Sequence, residues 1–270
     1  MPRTRTFDTD LHFTLRGEAG PPVLLVMGMG TGGEAWAGVA DDLARDHRVL
    51  TFDHAGLGGS GPEPGARDLS VHARRVAALL DHVGWDEAHV VGQSMGGMIA
   101  QHLALGHPDR VRSLGLLVTT ADGAAAMRST VPENVAELPA LILDSPDKRT
   151  ERMIRLLHGP RAIREVGAEE LARRLSAGHQ RGPSLTTLLA QRRAIAAHDT
   201  RLQLWRLADT PTLVLGATHD RVIHPDHSRF LATALPHARF VMREEAGHAL
   251  HREHPDEVAA ELRQLFSDAA

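Results

Sequence analysis

The stretch His89-Val-Val-Gly-Gln-Ser-Met-Gly-Gly-Met-Ile99 joins a β-branched run to a small-residue helix start through the pattern Gly-x-Ser-x-Gly. A serine between two such glycines predicts a sharp strand-to-helix turn, because the missing side chains at Gly92 and Gly96 let the turn close against its neighbours. The hydroxyl of Ser94 then projects from the end of a strand. Beside it, the backbone N–H groups of the new helix favour an anion. Acyl transfer to serine needs this pairing of an exposed nucleophile with positive partial charge. The acid candidate is Asp220, after the apolar run Pro211-Thr-Leu-Val-Leu-Gly-Ala217, which reads as a buried parallel strand. The base candidate is His248, after the strand-like Ala238-Arg-Phe-Val-Met242. Both fall in loops at strand C-termini, the edge where open α/β sheets place their sites. A Ser-x-x-Lys enzyme is excluded, since position 97 is glycine and Lys148 is the only lysine.

These motifs resemble the α/β-hydrolase-fold family over nearly the full chain. The matching segments are Val23-Leu-Leu-Val-Met-Gly-Met29, Asp53-His-Ala-Gly-Leu-Gly-Gly-Ser60, Gly92-Gln-Ser-Met-Gly-Gly97, Pro211 to Asp220 and Ala246-Gly-His248. Within the family, the Met-Gly opening and the Gln-Ser-Met-Gly-Gly turn look most like aclacinomycin-type methylesterases and 3-oxoadipate enol-lactonases. The resemblance implies a Ser94–His248–Asp220 triad, with the backbone amides of Met29 and Met95 as oxyanion donors. Asp122, after Val118-Thr-Thr-Ala121, is the rival acid, because some relatives carry it after that earlier strand. Two departures bear on loop bracing. Met27-Gly28 stands where many relatives have His-Gly, and Ala55 stands where relatives usually have Arg or Pro.

The elements needed to position these residues alternate along the chain. Leu11 to Leu15 reads as a first edge strand, Val23 to Met27 as a buried strand, Trp36 to Arg45 as a helix and Val49 to Phe52 as the next parallel strand. Ser70 is the expected cap of a helix running to about Val83, with Val71, Val76, Leu79, Leu80 and Val83 on its inner stripe. The helix after Ser94 should end near His107, before Pro108, and Val111 to Val118 returns to the sheet. Strand and helix alternate as a mostly parallel, doubly wound sheet requires.

From about Ala121 to Leu207 helical spacing replaces this alternation, in Lys148 to Leu157, Ala168 to Ala177 and Leu185 to His198, with breaks at Gly159-Pro160 and Gly182-Pro183. The expected organisation is an α/β-hydrolase core of residues 1–120 and 208–270 with a helical cap of residues 121–207 roofing the Ser94 pocket. The core resumes after Asp209 and closes with a helix from about Pro255 to Phe266. Gly28, Met98 and cap residues are the candidates for contacting substrate. Met27, Met29, Met95 and Met98 supply either a soft apolar wall beside the serine or ordinary core filling.

Composition narrows the function classes. The 270 residues are 42% hydrophobic, enough for one large core, and a net charge of −4 offers no basic stripe for nucleic acid. No apolar run approaches the roughly 18 residues of a membrane span, and Met1-Pro-Arg-Thr-Arg leads into no apolar signal segment, so a cytoplasmic protein is expected. The absence of cysteine removes disulfides, thiolate catalysis and Cys-ligated metals. Among the 18 histidines, His248, His251 and His254 recur at spacings of three. Residues at i and i+6 leave a shared helix face, and no acidic residue with ligand-like spacing completes a site, so no metal and no cofactor are expected. Arg161, Arg164, Arg173, Arg174, Arg192 and Arg193 read as solvated cap helices, one of which could greet an acidic substrate.

The expected activity is hydrolysis of a carboxylic ester or lactone, small or polyketide-like, by a monomer or homodimer. Cofactor-free haloperoxidase or perhydrolase chemistry, or carbon–carbon bond hydrolysis, uses the same triad. A cyclase, decarboxylase or receptor with a reassigned pocket is a further class on this scaffold. Epoxide hydrolases and haloalkane dehalogenases carry aspartate where Ser94 stands, and epoxide opening usually relies on cap tyrosines. This chain has no tyrosine.

Overall fold

Both faces of the central sheet are covered, and the strands are correspondingly apolar along their length: every residue of Ala88–Gln93 and of Thr212–Ala217 is buried. The computed structural model describes residues 2–129, 145–177 and 183–269. Its strands are β1 (Arg3–Arg5), β2 (Asp10–Arg16), β3 (Pro22–Val26), β4 (Arg48–Phe52), β5 (Ala88–Gln93), β6 (Val111–Leu117), β7 (Thr212–Ala217) and β8 (Arg239–Arg243). They form one eight-stranded sheet in the order β1-β2-β4-β3-β5-β6-β7-β8. The pairs β1·β2 and β2·β4 are antiparallel and all the others are parallel.

Alternate residues of the strands feed two apolar layers. Leu24, Val26, Leu50, Val90, Leu114 and Val214 pack with helices α2 (Leu69–His82) and α3 (Met95–Gly106). Val23, Leu25, Val49, Val91, Leu213 and Leu215 face the other way, against α1 (Ala37–Leu43) and the C-terminal helix Pro255–Asp268. This period-two division is the doubly wound architecture expected from the sequence.

Three local expectations need correction. The edge strand is β1 and not the Leu11–Leu15 segment, which lies second in the sheet with Thr4 opposite Leu11. Three polar residues carry no hydrophobic alternation by which to find such a strand. Helix α2 is capped by Asp68, whose side chain accepts from Ser70 N; Ser70 lies inside the first turn. The expected helix from Trp36 begins earlier, as a 3-10 turn over Gly33–Trp36, and its α-helical part ends at Leu43.

Between β6 and β7 lie α4 (Gly123–Ser129), α5 (Pro146–Leu157), α6 (Pro160–Glu165), α7 (Ala168–Ala177) and α8 (Leu185–Ala196), then a 3-10 segment Arg201–Leu207. Among the described residues this insertion contains no strand, only the isolated bridge Asp122–Asp199. It has a small apolar centre of its own at Ile154, Ala162 and Leu171. Gly182, expected to break a helix, lies outside the described residues. After β7 come α9 (Pro225–Ala234), β8, α10 (Leu250–Glu253) and α11 (Pro255–Asp268). No described helix is long and apolar enough to cross a membrane.

Several histidines are buried as neutral rings. Burial, the largest cause in each case, pushes His72 down to about 3 and His89 and His198 down to about 4, and lowers His54 and His251 as well. A histidine with a lowered folded-state pKa contributes stability that is present above its unfolded value near 6.5 and is lost as pH falls toward the folded value. The melting temperature is therefore expected to be about 5 °C or more lower at pH 5.0 than at pH 7.5. Equal melting temperatures at the two pH values, measured by circular dichroism, would contradict this account of the buried rings.

Candidate active site

Ser94 stands between β5 and α3 with φ 56° and ψ −123°, a left-handed conformation that costs a non-glycine residue roughly 1–3 kcal/mol. The surroundings hold it there. Its amide donates to Leu117 O at 3.0 Å, and its carbonyl accepts from Gly97 N at 3.0 Å and from Thr119 Oγ1 at 2.7 Å. The flanking glycines are required by close approach. A Cβ on Gly92 would meet Gly96 O at 2.2 Å, and one on Gly96 would meet Val26 O at 2.0 Å. The turn thereby aims the positive end of a twelve-residue helix at Ser94.

Asp220 and His248 are brought together in the fold. Asp220 Oδ1 accepts from the amides of Val222 and Ile223, both at 2.8 Å, and Oδ2 accepts from His248 Nδ1 at 2.8 Å. The carboxylate therefore fixes the ring orientation and leaves Nε2 without its proton when the imidazole is neutral. The loop carrying His248 is tied to the strand that leads into Ser94, because Gln93 Nε2 donates to His248 O at 3.0 Å. Among the described residues no hydrogen bond joins Ser94 Oγ to the His248 ring. Such contacts often tighten only with a reactant in place.

Outside the helices and strands, the amides of Met29 and Met95 donate no backbone hydrogen bond among the described residues. Gly28 lies against the serine: a Cβ there would stand 3.2 Å from Ser94 Cβ. Met95 and Met98 are buried in one apolar layer, Met27 is buried in the opposite one and Met29 is 43% exposed. The four methionines therefore do not share one wall. Asp122 is engaged elsewhere, accepting from Ala125 N at the start of α4 and pairing with Arg201 at 2.8 Å. His251 is buried against Trp36 with ring centroids 4.8 Å apart, and no metal-holding cluster occurs among the described residues. Arg161, Arg164, Arg173 and Arg174 each pair with glutamate, while Arg192 and Arg193 are exposed.

Sequence reasoning missed what braces the loop after β3. His54 Nε2 donates to Met27 O at 2.8 Å, and burial lowers the pKa of this ring, which keeps it a neutral donor. The brace that Met27 and Ala55 do not provide thus comes from the neighbouring position in Asp53-His-Ala. Asp53 Oδ1 accepts from Gly33 N at 2.9 Å, and Gln191 Oε1, on α8, accepts from Gly30 N at 2.9 Å. Nothing in the local sequence around Gln191 marks that contact. An open cleft of about 840 Å³ reaches Gly30 from the β2 side, but Ser94, Asp220 and His248 do not line it. Chemistry is better located by the Asp220–His248 bond than by cleft size.

Comparison with known proteins identifies the family and the fold. A family model described as the alpha/beta hydrolase fold matches residues 21–255. A protein of Azorhizobium caulinodans provisionally named carbamate hydrolase RutD is 35% identical over 263 residues, covering 95% of this chain and 94% of its own. A pimeloyl-[acyl-carrier protein] methyl ester esterase of Aeromonas hydrophila is 29% identical over 250 residues, covering 88% of this chain and 92% of its own. The crystal structure of an enol-lactonase from Burkholderia xenovorans shares the fold, with a TM-score of 0.80 at 23% identity over 98% of this chain and all of that one.

The glycine contacts give a direct test. Gly96→Ala must displace the end of β3 or the start of α3, and a loss of about 3 kcal/mol in urea unfolding is expected. A variant with the wild-type unfolding midpoint would contradict the close approach.

Proposed function

Because the chain belongs to the α/β-hydrolase-fold family, we propose that this enzyme hydrolyses a carboxylic ester or lactone through Ser94, His248 and Asp220. The observation that carries the reading is the buried Asp220–His248 bond of 2.8 Å, on a loop anchored to the residue before a strained serine. A serine hydroxyl is a poor nucleophile near neutral pH until a base accepts its proton. His248 Nε2 takes that proton as Oγ attacks the acyl carbon, and Asp220 stabilises the imidazolium that results.

The tetrahedral oxyanion sits against the amides of Met29 and Met95, each worth roughly 3 kcal/mol in comparable sites. Collapse breaks the bond to the leaving oxygen, which takes its proton from His248. Water, deprotonated by the same ring, then releases the acid and restores Ser94. A lactone gives one hydroxy acid, and an open ester gives an acid and an alcohol. The described residues 121–129, 145–177 and 183–207 act as a cap over this pocket. The support is that α8 lies on the loops after β3 and β4: Gln191 bonds Gly30, and a Cβ on Gly56 would stand 2.4 Å from Thr187 Oγ1. The likeness to the provisionally named carbamate hydrolase favours a second reading, in which the acyl carbon is that of a carbamate and the same steps expel or retain its nitrogen.

Ser94→Ala is expected to reduce turnover of p-nitrophenyl acetate and butyrate by at least about a thousandfold with the fold intact by circular dichroism. A fluorophosphonate probe should label Ser94 in the wild type. Turnover at the wild-type rate in the mutant would refute the nucleophile. Asp220→Asn should lower kcat by about 10⁴-fold, as loss of the correct tautomer does in such triads, whereas Asp122→Asn should stay within about threefold of wild type. The opposite ranking would move the acid to Asp122.

A further inference from the structure

Glu253 is a fully buried carboxylate that the mechanism above leaves unused. Its Oε1 accepts from Gly159 N at 3.0 Å, and Oε1 and Oε2 both accept from Gly247 N at 3.1 Å. Gly247 immediately precedes His248, while Gly159 lies between α5 and α6 of the insertion. Burying a polar group is costly unless it is hydrogen-bonded, and here backbone donors from two separate segments reach this carboxyl group. His158 Nδ1 also lies 3.3 Å from Oε1, without hydrogen-bond alignment.

The two segments meet backbone to backbone. A Cβ on Gly247 would stand 2.5 Å from Gly159 N, and one on Gly159 would stand 2.0 Å from Glu245 O. Ala249 N donates to Leu157 O at 2.8 Å, and Arg161 N donates to Glu245 O at 3.3 Å. The residues on both sides of His248 are thus bonded to the insertion or to the side chain that grips it, and the carbonyl of His248 itself is held by Gln93. From this junction we propose that Glu253 is a positioning residue, whose carboxylate fastens the base-bearing loop to the insertion and so sets where the His248 ring stands relative to Ser94. The insertion then buttresses the base as well as covering the pocket, and changes in it alter turnover as well as substrate affinity. This inference rests on the hydrolase reading given above.

The test compares Glu253→Met, which removes the acceptor at similar size, with Glu253→Gln, which keeps one acceptor oxygen, and Glu253→Asp, which keeps the charge but retracts it from the amides. Steady-state hydrolysis of p-nitrophenyl butyrate and thermal melting are measured for each, with Ser94→Ala in parallel. Glu253→Met is expected to lose between about tenfold and a hundredfold in kcat, the scale of a misplacement near 1 Å, with KM within about twofold of wild type. Glu253→Gln should stay within about threefold. A folded Glu253→Met with wild-type kcat, or one in which KM rises in step with the loss of kcat, overturns the proposal. Should Glu253→Met fail to fold, the other pair decides: Asp impaired more than Gln supports it, whereas Gln impaired at least as much as Asp, or neither impaired, overturns it. If Ser94→Ala keeps its turnover, the hydrolase reading itself fails; if only the Glu253 variants behave as wild type, that reading stands and this inference falls.

Discussion

The start of α3 presses so closely on the end of β3 that position 96 admits no side chain, and the angle at which the helix leaves the sheet follows from that contact. Ser94 takes a left-handed backbone because the chain must reverse there from strand to helix, with Gly92 and Gly96 as the only residue type that fits on either side. The hydrogen bonds from Gly97 N and Thr119 Oγ1 to Ser94 O hold the strained residue in place. Gly28 also lies against the serine, where a Cβ would stand 3.2 Å from Ser94 Cβ. The placement of Ser94 and the path of the chain into α3 are therefore consequences of one packing constraint between β3, β5 and α3.

The other parts of the site are loops that must be brought to this rigid centre, and buried polar groups hold them. Neutral His54 grips the carbonyl of Met27 from the neighbouring strand. Its ring stands edge-on to His72, and His72 lies on the same helix as Arg75, whose buried guanidinium pairs with Asp8 at 2.7 Å and Glu63 at 2.8 Å. Each buried charge there has a partner of opposite sign, which limits the desolvation cost and locks the geometry. On the far side of the serine, Asp220 and Gln93 hold His248 by its ring and by its backbone.

The insertion touches both halves of this arrangement. Gln191 on α8 accepts from Gly30 in the loop after β3, while Gly159 meets the His248 loop across the carboxylate of Glu253. A segment attached at both points cannot shift as a whole without disturbing either the loop after β3 or the loop that carries His248.

The strands, the serine turn and the chain order of Ser94, Asp220 and His248 were legible in the residues, because each depends on local rules. Apolar runs mark strands buried on both faces, glycines mark the turn, and Asp220 and His248 follow strands that end at the same sheet edge. The edge strand β1, the Asp68 cap, and the roles of His54, Gln191 and Glu253 were not legible. Three polar residues become a strand only because β2 offers an open edge, and His54 becomes a brace only because β4 lies beside β3. Gln191 and Glu253 act on backbone amides 161 and 94 residues away. A backbone amide carries no side-chain signature, so such partners emerge only when folding brings the segments together. Sequence alone determined which groups are candidates for the chemistry; the tertiary structure decided what holds them, because that depends on distances between segments that no local pattern records.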